Sequence, residues 1–480
     1  MNIVFASAEV APYSKAGGLA DVAGSLPQAM APYVNSVQVL TPLYGEIDQN
    51  KYDIHPTTIR GKVALGDKVA PYSLYQTTDV DQITQIGFIR CDRFFGRDGI
   101  YTESDGEGFA DNNLRYFFFQ LVVLDLISSG TLPTDILHCN DHHTGLLPLM
   151  MKAMHLKVKT IFTIHNFLYH GHFSTQEISL LPKSTGPLLT KTQLDNYSAL
   201  LEGIDHSDIV TTVSPGYALE LLAGVNVDEY SLTRIQAVES NFYGIVNGID
   251  TEYWSPEHDQ FTPFHFSKDD LAGKRKNKAA LLTKVGLSPD MDAPLLGSIS
   301  RLVENKGFPL IIELLDEFVE LGAKFIFLGS GSPEISDQLQ KASKRHPQHI
   351  AFDDGFNEPL AHLIEAGSDM FLMPSRFEPC GLNQLYSLRY GTIPIVHSTG
   401  GLGDTVDAWT SDSGTGFVFE PYAINELRKS MELALKVYHS ESDWMTLMHR
   451  AMLMDFSWDQ SAKQYLHLYN LLIGGSSENI

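Results

Sequence analysis

Short apolar runs, each closed by a loop bearing glycine or proline and followed by residues with helical apolar spacing, recur along this chain in two successive series. Parallel strands need a crossover of about a dozen residues or more, usually a helix, so alternating strand and helix signals point to parallel α/β sheets. The first series opens with Asn2-Ile-Val-Phe-Ala-Ser-Ala8, passes through Gly17-Gly18 into a helical pattern from Leu19 to Met30, and resumes at Val37-Gln-Val-Leu40. Ile136 to His138, Thr160 to Ile164 and Ile209 to Val213 extend it, with Leu114 to Ser128 among the intervening helices. The second series runs through Leu295 to Ser300, Phe325 to Leu328, Ile350 to Phe352, Met370 to Met373 and Ile393 to Val396. Its helices are expected from Pro309 to Leu321, Pro333 to His346, Pro359 to Ala366 and Leu382 to Tyr390. At 480 residues the chain exceeds the ~250–300 over which one core keeps growing. The reading is therefore α/β, two Rossmann-like domains in tandem, with ligands expected outside the strand carboxyl ends and in the cleft between the halves. The joint falls near Asn247-Gly-Ile-Asp250, because the stretch onward to Lys278 is polar and broken by Pro256 and Pro263. This gives 1–246 as the first domain and 247–455 as the second. Residues from about 50 to 90 read as a β-hairpin decorating the first domain.

Charge narrows the partners. The 34 Lys and Arg against 58 Asp and Glu leave a net charge of −24, which opposes nucleic-acid backbones and anionic membranes. An anionic substrate must then meet a local basic pocket. No apolar run approaches the ~20 residues that span a bilayer, and Met1 leads into Ile3-Val4-Phe5 without the charge cluster of a secretory signal, so a cytoplasmic enzyme is expected. Three cysteines, Cys91, Cys139 and Cys380, are too few and too scattered for a disulfide framework or a CxxC-type zinc site. Reduced thiols are expected.

The strand-end loops carry the chemistry. Lys15-Ala-Gly-Gly18 lies between the first strand and its helix, where backbone N–H groups, a helix N-terminus and one ammonium can converge on an anion. It is neither GxGxxG nor a P-loop, which leaves a dehydrogenase or P-loop ATPase unsupported. On this loop alone, a turn with a solvated lysine fits as well. Ser300-Arg301-Leu-Val-Glu-Asn-Lys306-Gly307 sets two cations five residues apart after the first strand of the second series. Arg301 through its bidentate fork and Lys306 as a point charge can clamp a diphosphate. Pro374-Ser-Arg-Phe-Glu-Pro-Cys-Gly-Leu382 aims Glu378 at the cleft and offers the amides of Gly381 and Leu382 at a helix start. Thr399-Gly400-Gly401 repeats the paired-glycine device at the next strand end. His165-Asn166 also follows a strand, and a histidine there can donate to a sugar hydroxyl. His138, Asp141, His142 and His143 invite a metal reading, but adjacent histidines on an extended chain or tight turn diverge and no carboxylate cluster completes a set. The triplets Asp79-Val-Asp81 and Asp290-Met-Asp292 lie in loops outside the strand-end series, so no metal is expected at either.

Together these motifs resemble the bacterial glycogen synthase and plant or cyanobacterial starch synthase family, retaining glucosyltransferases of the two-domain GT-B fold. The resemblance rests on Ser7-Ala-Glu-Val-Ala-Pro-Tyr-Ser-Lys-Ala-Gly-Gly-Leu-Ala-Asp-Val22, Asp111-Asn-Asn-Leu-Arg115, Thr163-Ile-His-Asn166, Asn247-Gly-Ile-Asp250, Ser300-Arg-Leu302, Lys306-Gly307, Pro374 to Leu382, and Ser398-Thr-Gly-Gly-Leu-Gly-Asp-Thr-Val406. It implies transfer of glucose from ADP-glucose, or less often UDP-glucose, to the 4-hydroxyl at the non-reducing end of an α-1,4-glucan, with retention and with no cofactor or obligatory metal. Carried over by position, His165, Arg301, Lys306 and Glu378 are the catalytic candidates. Lys15, Gly17 and Gly18 would face the donor phosphates, with Asp21 and Asn247 near the nucleoside. Cys380, Gly381 and Leu382 would surround the transferred glucose together with Glu378; Asn166, Thr399, Gly400 and Gly401 also fall on the donor side. Glu9 and Asp141 would line the acceptor side. The resemblance further implies that 456–480 contains a helix crossing back onto the first domain. His142 stands where the family usually has Trp, His170 where it usually has Gln, and Phe356 where an aromatic, often Tyr, stacks near the nucleobase.

Two other readings stay open on sequence. One is a GT-B glycosyltransferase with a small or lipid acceptor, against which the Lys15-Ala-Gly-Gly18 entry argues. The other is a glucan-binding scaffold without turnover, against which the intact Lys15, Arg301, Lys306 and Glu378 argue.

Overall fold

The computed structural model describes residues 1–77, 83–103, 106–192 and 196–474. The chain divides into two compact units: Met1–Gly248 with Trp458–Ile480, and Ile249–Ser457.

In the first unit the strands are β1 (Asn2–Ala6), β2 (Ser36–Pro42), β3 (Ile54–Leu65), β4 (Lys68–Thr77), β5 (Thr84–Arg90), β6 (Ile136–Asn140), β7 (Lys159–Ile164), β10 (Ile209–Thr212) and β11 (Phe242–Gly244), with β8 (His172–Phe173) and β9 (Tyr197–Ser198) forming a separate ribbon. The nine-stranded sheet has the order β11-β10-β7-β6-β1-β2-β5-β4-β3. From β11 to β5 every pairing is parallel; β4 pairs antiparallel with both β3 and β5. The expected decoration is thus an extension of the main sheet. Its last strand, β5, buries Ile86, Phe88 and Ile89 and pairs in parallel with β2, which a hairpin reading from turn residues could not show. Asp79-Val-Asp81 lies outside the described residues.

Central strands are apolar on both faces because helices cover both: Ile3, Val4 and Phe5 of β1 are all buried. The helices of this unit are α1 (Gly18–Met30), α2 (Asp92–Phe95), α3 (Asn112–Ser128), α4 (Leu146–Ala153), α5 (Ala199–His206), α6 (Pro215–Leu222) and α7 (Glu229–Ala237). The C-terminal α16 (Trp458–Ile473) packs against α1. Its Tyr469 hydroxyl meets His138 Nδ1 at 2.6 Å, and its Ser461 Oγ donates to the Val246 carbonyl at 2.7 Å.

The second unit holds β12 (Leu295–Ile299), β13 (Lys324–Gly329), β14 (Ile350–Asp354), β15 (Met370–Met373), β16 (Ile393–His397) and β17 (Phe417–Phe419) in the order β14-β13-β12-β15-β16-β17, all parallel. Its helices are α8 (Ala272–Val285), α9 (Phe308–Glu320), α10 (Pro333–Arg345), α11 (Glu358–Gly367), α12 (Asn383–Arg389), α13 (Gly400–Thr405), α14 (Ile424–Tyr438) and α15 (Glu441–Met452). α9 shows why these segments are helical: Ile311, Leu314, Leu315 and Phe318 fall on one buried face, and Pro309 occupies its first turn, where a missing N–H costs nothing. Each sheet reverses its winding once, between β1 and β6 in the first unit and between β12 and β15 in the second. Ligands of doubly wound sheets sit outside the strand carboxyl ends at such switch points.

Candidate active site

In the first unit the switch point brings together the loops after β1, β6 and β7. After β1 the chain turns back, and Glu9 Oε2 accepts from the amides of Ala16 and Gly17 at 2.6 and 2.8 Å. Glu9 Oε1 accepts from the Tyr101 hydroxyl at 2.5 Å. This corrects the expectation of an open anion cradle: the anion held by the Ala16 and Gly17 amides is the chain's own buried carboxylate. Lys15 is exposed and pairs with Asp21 in the first turn of α1 at 2.7 Å. Gly18 is the first residue of that helix.

After β6, Asp141 takes φ +55°, a conformation that costs a non-glycine residue about 1–3 kcal/mol and points to a fixed role for its side chain. Its Oδ1 accepts from the amide of His165 at 2.7 Å and lies 3.4 Å from that of Asn166. Burial pushes the carboxyl up to about 7, the two amides draw it back down, and the nearby Glu9 carboxylate adds to the rise. His165 Nε2 meets Asn140 Oδ1 at 2.9 Å, and burial lowers the imidazole to about 3, so it is neutral at physiological pH. Glu9, Asp141, His165 and Asn166 are therefore one cluster. Asn247 lies elsewhere in the same unit, buried, with an Oδ1 that has no hydrogen-bond partner among the described residues.

His142 and His143 do not diverge. The tight turn brings their rings together with centroids 3.7 Å apart at a tilt of 36°, and His143 also stacks on Tyr101 at 4.9 Å. Burial lowers His142 to about 4. His170 stacks on His172 at 5.1 Å and is likewise lowered to about 4 by burial. Among the described residues no three His, Cys, Asp or Glu side chains gather as a metal site would require. Asp290 and Asp292 lie between α8 and β12, where Asp292 faces Arg275 at 3.6 Å on an exposed surface.

In the second unit, loops after β12, β13, β15 and β16 interlock. Lys306 Nζ donates to Glu378 Oε2 at 2.5 Å, and Ser375 Oγ donates to the same oxygen at 3.0 Å. Gly307 has φ +81°, and a Cβ there would lie 2.1 Å from the Pro374 carbonyl oxygen. Asn305 Nδ2 donates to the Phe377 carbonyl at 3.1 Å, and the Arg376 amide to the Asn305 carbonyl at 2.9 Å. The Gly401 amide reaches the carbonyls of Glu378 and Pro379, each at 3.2 Å, and a Cβ on Gly401 would meet the Cys380 carbonyl at 2.2 Å. The repeated glycines thus let three strand-end loops close on one another. Arg301 is exposed and has no ion pair among the described residues. Cys380 is buried; Gly381 takes φ +73°; Leu382 precedes the short α12 and Thr399 precedes α13. Phe356, just past β14, is 89% exposed.

Three contributors lie outside the motifs read from sequence. Tyr101 comes from a loop distant from every strand end and carries no pattern. Asn140 is the last residue of β6, where only its position hinted at a role. The Gly329-Ser-Gly331 turn after β13 backs the Arg301 loop, through Leu302 N to Ser330 O at 2.8 Å and Ser332 N to Leu302 O at 2.7 Å; its paired glycines were the available signal.

Each unit is a Rossmann-like sheet whose switch point carries polar, glycine-closed loops, and in the second unit a lysine there pairs with a carboxylate, an arrangement that fits a glycosyltransferase of the GT-B class. Comparison with known proteins agrees. Residues 2–230 match the starch synthase catalytic domain model and residues 283–445 the glycosyl transferases group 1 model. A glycogen synthase of Anaeromyxobacter sp. (strain Fw109-5) is 40% identical over 98% of this chain and 99% of its own length, and one of Koribacter versatilis is 38% identical over 98% of each. The catalytic domain of starch synthase IV from Arabidopsis thaliana, solved with ADP and acarbose, superposes with a TM-score of 0.89 at 31% identity, over 98% of this chain and 99% of that one. The chain belongs to the glycogen synthase and starch synthase family, and is a glucosyltransferase that extends a glucan. No helix among the described residues is long and apolar enough to cross a membrane.

Proposed function

We propose that this enzyme transfers glucose from ADP-glucose to the 4-hydroxyl at the non-reducing end of an α-1,4-glucan, with retention of anomeric configuration, in the cytoplasm. Residues 1–246 supply the acceptor side, 247–455 the donor side, and 456–480 the helix that returns to the first domain. The observation that carries the reading is the Lys306–Glu378 pair in the loops at the second switch point, with Arg301, five residues before Lys306 in the chain, exposed and without an ion pair among the described residues. In a chain of net charge −24, a departing nucleoside diphosphate needs local positive charge, and Arg301 and Lys306 provide it. Glu378 holds Lys306 in place and presents its second oxygen to sugar hydroxyls, among Cys380, Gly381 and Leu382. Thr399, Gly400 and Gly401 shape the loop behind it. Phe356, exposed at a strand end, offers a face on which a nucleobase stacks, with Lys15, Gly18, Asp21, Asn166 and Asn247 completing the donor contacts. Glu9 and Asp141 accept hydrogen bonds from glucan hydroxyls.

The ADP bound to the Arabidopsis neighbour supports ADP over UDP as the donor nucleotide. The test is release of nucleoside diphosphate from ADP-glucose and from UDP-glucose with glycogen, maltooligosaccharide or no acceptor. Glucan-dependent ADP release is expected. Release from UDP-glucose alone reverses the donor assignment, and glucan binding with no release from either donor returns the scaffold reading.

A further inference from the structure

The hydrogen bonds around His165 fix which of its nitrogens carries the proton. Asn140 Nδ2 donates to the Ala6 carbonyl at 3.0 Å. A carbonyl can only accept, so the amide nitrogen of Asn140 must point there and its Oδ1 must point the other way. That Oδ1 lies 2.9 Å from His165 Nε2 and can only accept. Nε2 is therefore the protonated nitrogen. Burial keeps the ring neutral, which leaves Nδ1 as a bare lone pair with no bond among the described residues. The strand register makes the arrangement rigid. Ala6 pairs with Cys139 and Asn140 with Thr163, so Asn140 bridges the carboxyl ends of β1 and β7, while Asp141 clamps the His165 amide from the same turn.

We propose that Asn140 is a positioning residue that locks His165 as the Nε2–H tautomer, so that Nδ1 accepts a hydrogen bond from a hydroxyl of the transferred sugar. This reverses the direction expected from sequence, in which His165 donates. The substrate half rests on the reading that His165 meets the donor sugar; the tautomer half does not. In the locked state the ring selects a group that can donate, a hydroxyl, over an ether or carbonyl oxygen at the same place. It also takes no proton during transfer.

The test uses the full-length enzyme with 15N-labelled histidine, the His165 signals being those absent in His165→Asn. A protonated Nε2 and a bare Nδ1 are expected; the reverse, or two protonated nitrogens at neutral pH, overturns the proposal. In Asn140→Leu the ring is expected to become a mixture of tautomers. The loss of one oriented hydrogen bond there lowers kcat about tenfold, with KM for ADP-glucose changed less than about threefold. Ring signals that stay in place in Asn140→Leu refute the positioning role. Should that variant fail to fold, the wild type is assayed with deoxy and deoxyfluoro ADP-glucose analogues, since fluorine accepts weakly but cannot donate. One sugar position is expected at which both analogues lose the same rate, about tenfold. A fluoro analogue that keeps the rate its deoxy counterpart loses shows a donating ring and ends the proposal. If the wild type consumes no nucleotide sugar at all, the functional reading falls by itself, and the nitrogen spectrum still decides the tautomer.

Discussion

Replacing Asp141 with asparagine tests the electrostatics of the first-unit cluster without changing its shape. The buried Asp141 carboxyl titrates near about 7 in the folded chain, against 3.8 for the free group. A raised acid keeps its proton in the folded state over a range where the unfolded chain has lost it. Its contribution to stability is therefore greatest below pH ~4, falls as pH rises, and has vanished above pH ~7. The difference of about three units, at 1.36 kcal/mol each, comes to roughly 4 kcal/mol between those limits. The asparagine side chain of the variant can still accept from the His165 and Asn166 amides and has no charge to bury. The stability of Asp141→Asn relative to wild type is thus expected to rise by about 1.4 kcal/mol per pH unit between about pH 5 and about pH 7. Buried histidines such as His138, lowered to about 3, drive stability the opposite way with pH, but they are present in both proteins and cancel in the difference. The assay is urea-dependent hydrogen exchange, read by mass spectrometry in peptides covering β6 and β7 and corrected for intrinsic exchange at each pH. A difference constant to within about 0.5 kcal/mol over this range would show that Asp141 is ionised throughout, and would refute the reasoning.

The same titration predicts that KM for glucan changes with a midpoint near about pH 7 in wild type and is flat in Asp141→Asn, because only the ionised carboxylate is purely an acceptor. Glu378→Gln removes the charge that holds Lys306 and should lower glucose incorporation into glucan by ~10²–10³ while leaving glucan binding in place; incorporation unchanged would remove Glu378 from the site. Phe356→Ala should raise KM for ADP-glucose about fivefold, for about 1 kcal/mol of lost stacking, at unchanged kcat and thermal stability, since the side chain is exposed. Gly307→Ala forces a Cβ against the Pro374 carbonyl at positive φ, so activity should fall at least ~10²-fold with a measurable drop in Tm, seen by a thermal melt alongside the rate assay.

Fold and site differed in how far they could be read from the chain. Strands such as Leu295–Ile299 and Met370–Met373 were legible because both faces of a parallel strand are buried, which writes a mainly apolar run with a proline at one end, Pro294 or Pro374. β5 was harder: it is parallel to β2 on one edge and antiparallel to β4 on the other, and turn residues alone suggest a hairpin rather than membership of the main sheet. The second-unit loops were legible because close backbone approach demands glycine, as at Gly307 and Gly401, and glycine is visible in a sequence. The first-unit cluster was only half legible. Its loops were visible, but a hydrogen bond between Glu9 and the Gly17 amide, or a ring contact between Tyr101 and His143, depends on residues far apart in the chain and leaves no periodic mark.

The paired glycines at Gly17-Gly18 and Gly400-Gly401 look alike in sequence, yet their surroundings give them different chemistry. In the first unit, free amides are taken up by the chain's own carboxylates: Glu9 holds those of Ala16 and Gly17, and Asp141 those of His165 and Asn166. The groups this reading leaves for sugar hydroxyls there are acceptors: the buried carboxylates of Glu9 and Asp141 for the glucan, and His165 Nδ1 for the transferred glucose. In the second unit the only carboxylate among the named site residues, Glu378, is neutralised by Lys306, and Arg301 is left over. That surplus of one guanidinium suits an anionic nucleotide. On the proposed assignment of Glu9 to the acceptor side, Glu9→Gln, which keeps the Ala16 and Gly17 contacts through its carbonyl oxygen, should weaken glucan binding more than ADP-glucose binding in parallel titrations. An equal or larger effect on the nucleotide sugar would move Glu9 from the glucan to the nucleotide sugar.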